Sequence, residues 1–298
     1  VLERWIEVDD LRVHAVEWRN SRRSRNDRVL LVHGLGGNTI SWELVGASLA
    51  DQLETDVTAI DLAGFGQTRL PSGRATIARN ADLVTRVLEL EGPAVLIGNS
   101  MGGSISVNIA ARRPELTRGV VLVDAALPGF VNSKSYLGVT ARFSLISVPR
   151  VGEYLMDRKA SLLGAAGLVD ATLEIVLADP RLLDAEIRDR LIALAEVRFD
   201  WAEQVGSYAS AARSLMAYLT RSMRRDIGTV RAPTLMLHGA LDKLVSVELA
   251  HATLARRPDW DFTVFDDCGH APQLERPDRF LEAVSDWFEA RESQALGA

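Results

Sequence analysis

The chain has 298 residues, 47% hydrophobic and 25% charged, an ordinary globular composition with enough apolar material for a large buried core. A net charge of −6 gives no electrostatic reason to bind nucleic acid or an anionic membrane, and no apolar run approaches the length of a membrane-spanning helix. Cys268 is the only cysteine, which excludes an intrachain disulfide and a cysteine-rich metal site; with no signal-peptide pattern at Val1-Leu2-Glu3-Arg4-Trp5, a cytoplasmic protein is expected.

In chain order, Arg4–Val8 and Leu11–Trp18 read as a leading hairpin joined through Asp9-Asp10, followed by a polar, arginine-rich loop, Arg19–Asp27. Val29–Val32, Val57–Ile60, Ala94–Ile97 and Val120–Val123 are continuous apolar runs, the pattern of strands buried on both faces of a parallel sheet. Helical patterns near Trp42–Leu53, Thr76–Leu90 and Met101–Arg113 alternate with them, predicting a sheet wrapped by helices. From about Pro128 to Asp226 strand-like runs disappear. Helix formers dominate over Val151–Leu163, Leu168–Leu177, Leu183–Arg198 and Trp201–Arg221, a stretch that would form a lid over one end of the sheet. The first pattern then returns, with strands at Thr234–Leu237 and Phe262–Phe265 and helices near Val247–Arg256 and Asp278–Arg291.

The strongest local signal is Gly98-Asn99-Ser100-Met101-Gly102, followed by Gly103, set between a buried strand and a helix. A serine on so sharp a strand-to-helix turn adopts a strained backbone, and its neighbours two residues away must lack side chains. The turn lifts the hydroxyl above the sheet edge, with a helix N-terminus behind it that favours negative charge. Serine needs a base to take its proton. Of His14, His33, His238, His251 and His270, the last lies in a loop after a late strand, and loops at the carboxyl ends of strands converge on one crevice. His14 and His251 read as surface or packing residues, and His238 as structural, although it could line the site. For the carboxylate that orients the base, Asp242 follows the strand Thr234–Leu237, while Asp124, ending Val120–Val123, competes for the same histidine. Donors for a developing oxyanion would be the amides of Met101 and Leu35, with Gly36 as the alternative to Leu35 in His33-Gly34-Leu35-Gly36-Gly37.

The order nucleophile, acid, histidine, together with the glycine-rich loop and the serine elbow, resembles the α/β-hydrolase superfamily. Asp61-Leu62-Ala63-Gly64-Phe65-Gly66-Gln67-Thr68 is similar to the family's loop after the next strand, with Ala63 where Pro is usual and Thr68 where Ser is usual. The resemblance implies an α/β-hydrolase fold: a mostly parallel sheet flanked by helices, a core of residues 1–127 and 227–298, and an inserted helical cap at 128–226. It implies a Ser100–His270–Asp242 triad acting on a small molecule, with no metal or organic cofactor required. Relatives that use aspartate or cysteine at the elbow are set aside by Ser100. The elbow is similar to that of serine C–C hydrolases of vinylogous diketones, but those typically carry an aromatic residue after the histidine, where Ala271-Pro272 stands here. Carboxylic ester hydrolysis is therefore the expected activity and C–C hydrolysis the alternative. A small-molecule receptor retaining the triad and a cofactor-free oxygenase or perhydrolase are further options. Phe143, Tyr154, Leu155, Phe199, Trp201 and Tyr208 would suit an apolar substrate group, and serve equally to hold a cap together.

Overall fold

The computed structural model describes residues 1–22, 28–131, 141, 145–146, 148–201 and 203–296. Its strands are β1 (Leu2–Val8), β2 (Leu11–Trp18), β3 (Arg28–Val32), β4 (Val57–Ile60), β5 (Ala94–Asn99), β6 (Thr117–Val123), β7 (Thr234–Gly239) and β8 (Asp261–Phe265). They form one sheet in the order β1-β2-β4-β3-β5-β6-β7-β8. The leading hairpin is antiparallel and β2 joins β4 antiparallel; from β4 to β8 every pairing is parallel.

The continuous apolar runs follow from burial on both faces. Leu31, Val57, Ala59, Val95, Ile97, Val121 and Val123 pack on one side, against Val45 and Leu49 of α1 (Glu43–Gln52) and Phe280, Val284 and Trp287 of the C-terminal helix Pro277–Leu296. Their sequence neighbours Leu30, Val32, Ile60 and Leu96 point the other way, against α2 (Ile77–Glu91) and α3 (Met101–Arg112). Each such side chain taken fully out of water contributes about 1.5–3 kcal/mol, so neither face tolerates the alternation of a half-exposed strand.

Between β6 and β7 the regular structure among the described residues is helical: α4 (Val151–Val176), α5 (Ala185–Phe199), α6 (Gln204–Arg221) and α7 (Met223–Thr229). The two predicted segments Val151–Leu163 and Leu168–Leu177 form one run, broken at Gly164, whose φ of 66° and ψ of −178° only glycine adopts readily. This stretch lies on loops that follow strands. Leu173, Leu177 and Ile187 pack on Ile40, Ala271 and Leu274, and Ala75 N–H and Ile77 N–H donate to the hydroxyls of Ser210 and Ser214 on α6. Arg198 of α5, nearly buried and stacked on Trp201, donates to the carbonyls of Gly64 and Gly66. After β7 come α8 (Val247–Leu254), the short α9 (Pro272–Glu275) and α10 (Pro277–Leu296). Among the described residues no helix is long and apolar enough to cross a membrane. Of the predicted arginine-rich loop, residues 23–27 lie outside the described residues, as does Phe143.

His14, on β2, is buried rather than a surface residue, with Nδ1 2.7 Å from Asp61 Oδ2 and Nε2 2.7 Å from Glu3 Oε1. Burial works against its charge, but bonding and attraction from Asp61 and Glu3 outweigh it, and its pKa is raised. A histidine pKa raised on folding contributes stability that is complete below the unfolded value of about 6.5 and disappears as pH rises through the folded value. His14→Gln is therefore expected to lower the melting temperature most near pH 6, by a margin that narrows towards pH 9. A margin that stays flat or widens over a thermal-denaturation pH series would contradict this ion-pair origin.

Candidate active site

β5 ends at Asn99 and α3 begins at Met101, leaving Ser100 alone in the turn with φ 54° and ψ −116°. Such a conformation costs on the order of 1–3 kcal/mol for a non-glycine residue and persists only where its surroundings over-determine it. They do so here through the backbone. Ser100 N–H donates to Val123 O at 2.9 Å, and Ser100 O accepts from Ala126 N–H at 3.0 Å and Ser104 N–H at 3.2 Å. The flanking glycines answer to close approach. A Cβ at Gly98 would lie 2.5 Å from the Gly102 carbonyl, one at Gly102 2.1 Å from Val32 O, and one at Gly103 2.6 Å from Ala125 Cβ. Ser100 is partly exposed, above the sheet edge and at the positive end of α3.

The loop after β3 passes directly over this turn: a Cβ on Gly34 would sit 3.0 Å from Ser100 Cβ. That loop is braced by His33, whose Nε2 accepts from Leu62 N–H at 2.9 Å, so its proton is on Nδ1, which donates to Gly34 O at 2.7 Å. Fully buried, His33 has its pKa lowered by loss of water, and both ring nitrogens are committed to the backbone. Asp61 fastens the same region, accepting from Thr39 N–H, Gln67 N–H and the His14 ring. Leu35 thus stands in a fixed loop beside Ser100, while Gly36, with φ 77°, turns outward beneath the Tyr208 ring.

His270 follows β8 and its Nδ1 lies 2.7 Å from Asp242 Oδ2. A carboxylate only accepts, so Nδ1 carries the proton and Nε2 is free to act as base. Asp242 Oδ1 accepts from Leu244 N–H at 2.7 Å and Val245 N–H at 3.0 Å, which fixes the rotation of the carboxylate. Burial disfavours its charge, but His270, by attraction and hydrogen bonding, and His238 hold its pKa below the usual carboxylate range. Asp124 instead engages the backbone, its Oδ1 accepting from Gly239 N–H at 2.8 Å. Asn99 links the serine turn to the His270 loop, donating from Nδ2 to Val123 O and, at 3.0 Å, to His270 O.

The helical stretch is fastened to the same loops. His270 N–H donates to Val176 O at 2.7 Å, and Lys243 Nζ donates to the carbonyls of Glu174 and Leu177 at the end of α4. Glu275 of α9 accepts from Gly269 N–H at 2.9 Å and Ala178 N–H at 2.7 Å. Glu275, Lys243 and Asn99 are the positioning side chains that reading the sequence missed. Only Asn99 lay inside a recognisable motif. Among the described residues, Asp124, His238 and Asp242 are the three side chains close enough to share a cation. Each already has a protein partner: His238 Nε2 faces Val245 O at 2.9 Å, Asp242 Oδ2 the His270 ring, and Asp124 Oδ1 the Gly239 amide.

His251 is exposed on α8, edge-on to Phe262. Of the aromatic residues predicted to suit a substrate, Trp201 is stacked between Arg69 and Arg198, Tyr154 is mostly exposed, and Tyr208 faces the loop after β3.

Residues 29–283 match the Alpha/beta hydrolase family. The chain is 29% identical over 285 residues to 2-hydroxymuconate semialdehyde hydrolase of Pseudomonas sp. (strain CF600), covering 90% of this chain and 89% of that one. It is 27% identical over 257 residues to lipase LipV of Mycobacterium tuberculosis (strain ATCC 25618 / H37Rv), covering 84% and 88%. The crystal structure of serine hydrolase CCSP0084 from Cycloclasticus zankles superposes with a TM-score of 0.75 at 20% identity over 97% of this chain and 98% of that one, a likeness of fold.

Proposed function

The chain belongs to the alpha/beta hydrolase family and is a hydrolase, and on that premise we propose that it cleaves a small, apolar carboxylic ester through an acyl-serine intermediate. The observation that carries the reading is the 2.7 Å contact between His270 Nδ1 and Asp242, on a loop hydrogen-bonded to the residue before a strained Ser100. Ser100 Oγ attacks the ester carbonyl as His270 Nε2 takes its proton. The oxyanion is held by the amides of Leu35 and Met101, in front of the α3 N-terminus. His270 returns the proton to the departing alcohol. Water, deprotonated by the same nitrogen, then releases the acid. Residues 128–226 act as the cap that shapes the acyl pocket, with Tyr208 over the oxyanion loop.

A second reading, C–C hydrolysis of a vinylogous diketone, is favoured by the likeness to a 2-hydroxymuconate semialdehyde hydrolase across most of the chain. Against it stands Ala271, small and buried, directly after His270. One panel separates the two: esters of graded acyl length, lactones and a vinylogous diketone, with fluorophosphonate labelling mapped by mass spectrometry. We expect label on the Ser100 peptide and the highest kcat/KM on an ester. A diketone turned over faster than every ester would transfer the assignment to C–C hydrolysis. Absence of label on Ser100 would end both readings.

A further inference from the structure

Asp124 takes no part in the chemistry just described, yet it is fully buried beside the proposed acid. It follows β6 directly, with φ 44°, and its Oδ1 accepts from Gly239 N–H. Its Oδ2 is equally buried and meets no donor. One oxygen of Asp124, one of Asp242 and one ring nitrogen of His238 lie within 4.8 Å of one another, with His238 Nε2 3.7 Å from an oxygen of each carboxyl group. His238 cannot neutralise the pair: burial pushes its pKa down, and Nε2 faces Val245 O. Among the described residues, the other titratable groups that bear on the pair are His270, against Asp242, Cys268 from the loop after β8, and Glu275 from α9, the last adding further negative charge. Two carboxylates so close and so dry cannot both stay ionised. Their environments divide them: Asp242 has two amides and the His270 ring, whereas Asp124 has one amide and is pushed well above the usual range by burial and by the charge of Asp242.

We infer that Asp124 is a positioning residue for the acid: a hydroxyl on its Oδ2 donates to the Asp242 carboxylate and holds that anion towards His270. The inference rests on the reading of Asp242 as the orienting acid. It gives the unpartnered oxygen a bond to make, and spares the imidazole a second anion.

Asp124→Asn is the discriminating variant. It preserves shape, is among the residues that tolerate positive φ, keeps an acceptor for Gly239 and supplies an N–H where the O–H was. Ester kcat/KM is expected to stay within about threefold of the parent, with the acid limb of its pH profile unmoved, whereas Asp124→Ala loses about 10–100-fold in kcat with KM little changed. The infrared difference spectrum of parent minus Asp124→Asn at neutral pH should contain the carbonyl band of a protonated carboxylic acid. Loss of a carboxylate band instead, or an acid limb displaced by about one pH unit or more, the effect of removing an anion near the imidazole, would overturn the inference. Failure of the functional reading has a different signature, namely no fluorophosphonate adduct on Ser100; the infrared band still decides whether Asp124 carries the hydroxyl.

Discussion

Ser100→Ala is expected to lower kcat for ester hydrolysis by roughly 10⁶-fold and to abolish fluorophosphonate labelling, leaving only the rate that binding and oxyanion donors provide. The protein should fold as before. The bonds that hold the turn run through the backbone of residue 100, to Val123, Ala126 and Ser104, and alanine keeps all of them at the same φ. A melting temperature within about 3 °C of the parent is the corresponding expectation, since removing one partly exposed hydroxyl changes stability by less than about 1 kcal/mol. The next hydroxyls along α3 are not available to take over: Ser104 and Ser106 are buried and donate to the carbonyls of Ala126 and Gly102. Substantial residual turnover with label on another serine would remove Ser100 from the mechanism.

The parallel strands are legible in the sequence because burial on both faces leaves no choice of residue. Val29–Val32, Ala94–Ile97 and Val120–Val123 therefore stand out as unbroken apolar runs. Their true ends are not, since the ladder continues through Gly98-Asn99, His238-Gly239 and Thr117-Arg118-Gly119, where side chains cease to be apolar while the backbone goes on pairing. The serine turn is legible for a steric reason, each glycine answering to a backbone or Cβ contact. The choice between Asp124 and Asp242 is not. Both close adjacent strands at the same sheet edge, Asp124 N–H bonding to Leu237 O, and only the course of the loop through Leu244 and Val245 turns one of them to His270. Glu275 is the least legible. Its partner Ala178 is 97 residues away, and an acceptor for backbone amides needs no particular sequence around those amides.

Asp242→Asn is expected to cost about 10⁴-fold in kcat while leaving KM and the fold almost unchanged, because an asparagine here selects the wrong imidazole tautomer. The direction follows from the two amides. Leu244 N–H and Val245 N–H both point at Oδ1, so an asparagine turns its carbonyl oxygen to them and its NH₂ to His270. Nδ1 then has to accept, the ring proton moves to Nε2, and the atom that should receive the Ser100 proton is already occupied. The opposite rotamer would set an NH₂ against two N–H donors at 2.7 and 3.0 Å in a buried site, at a cost of about 1–3 kcal/mol for each group left unsatisfied. Raising the pH cannot restore activity, since the lesion is the position of a proton and not its number. The same exchange at residue 124 replaces one neutral donor with another and should be almost silent. Two asparagines, placed just beyond neighbouring strands, thus separate by several orders of magnitude. Equal losses from both, measured as kcat on the same ester, would mean that the two carboxyl groups share the work of orienting His270 and that neither alone is the acid.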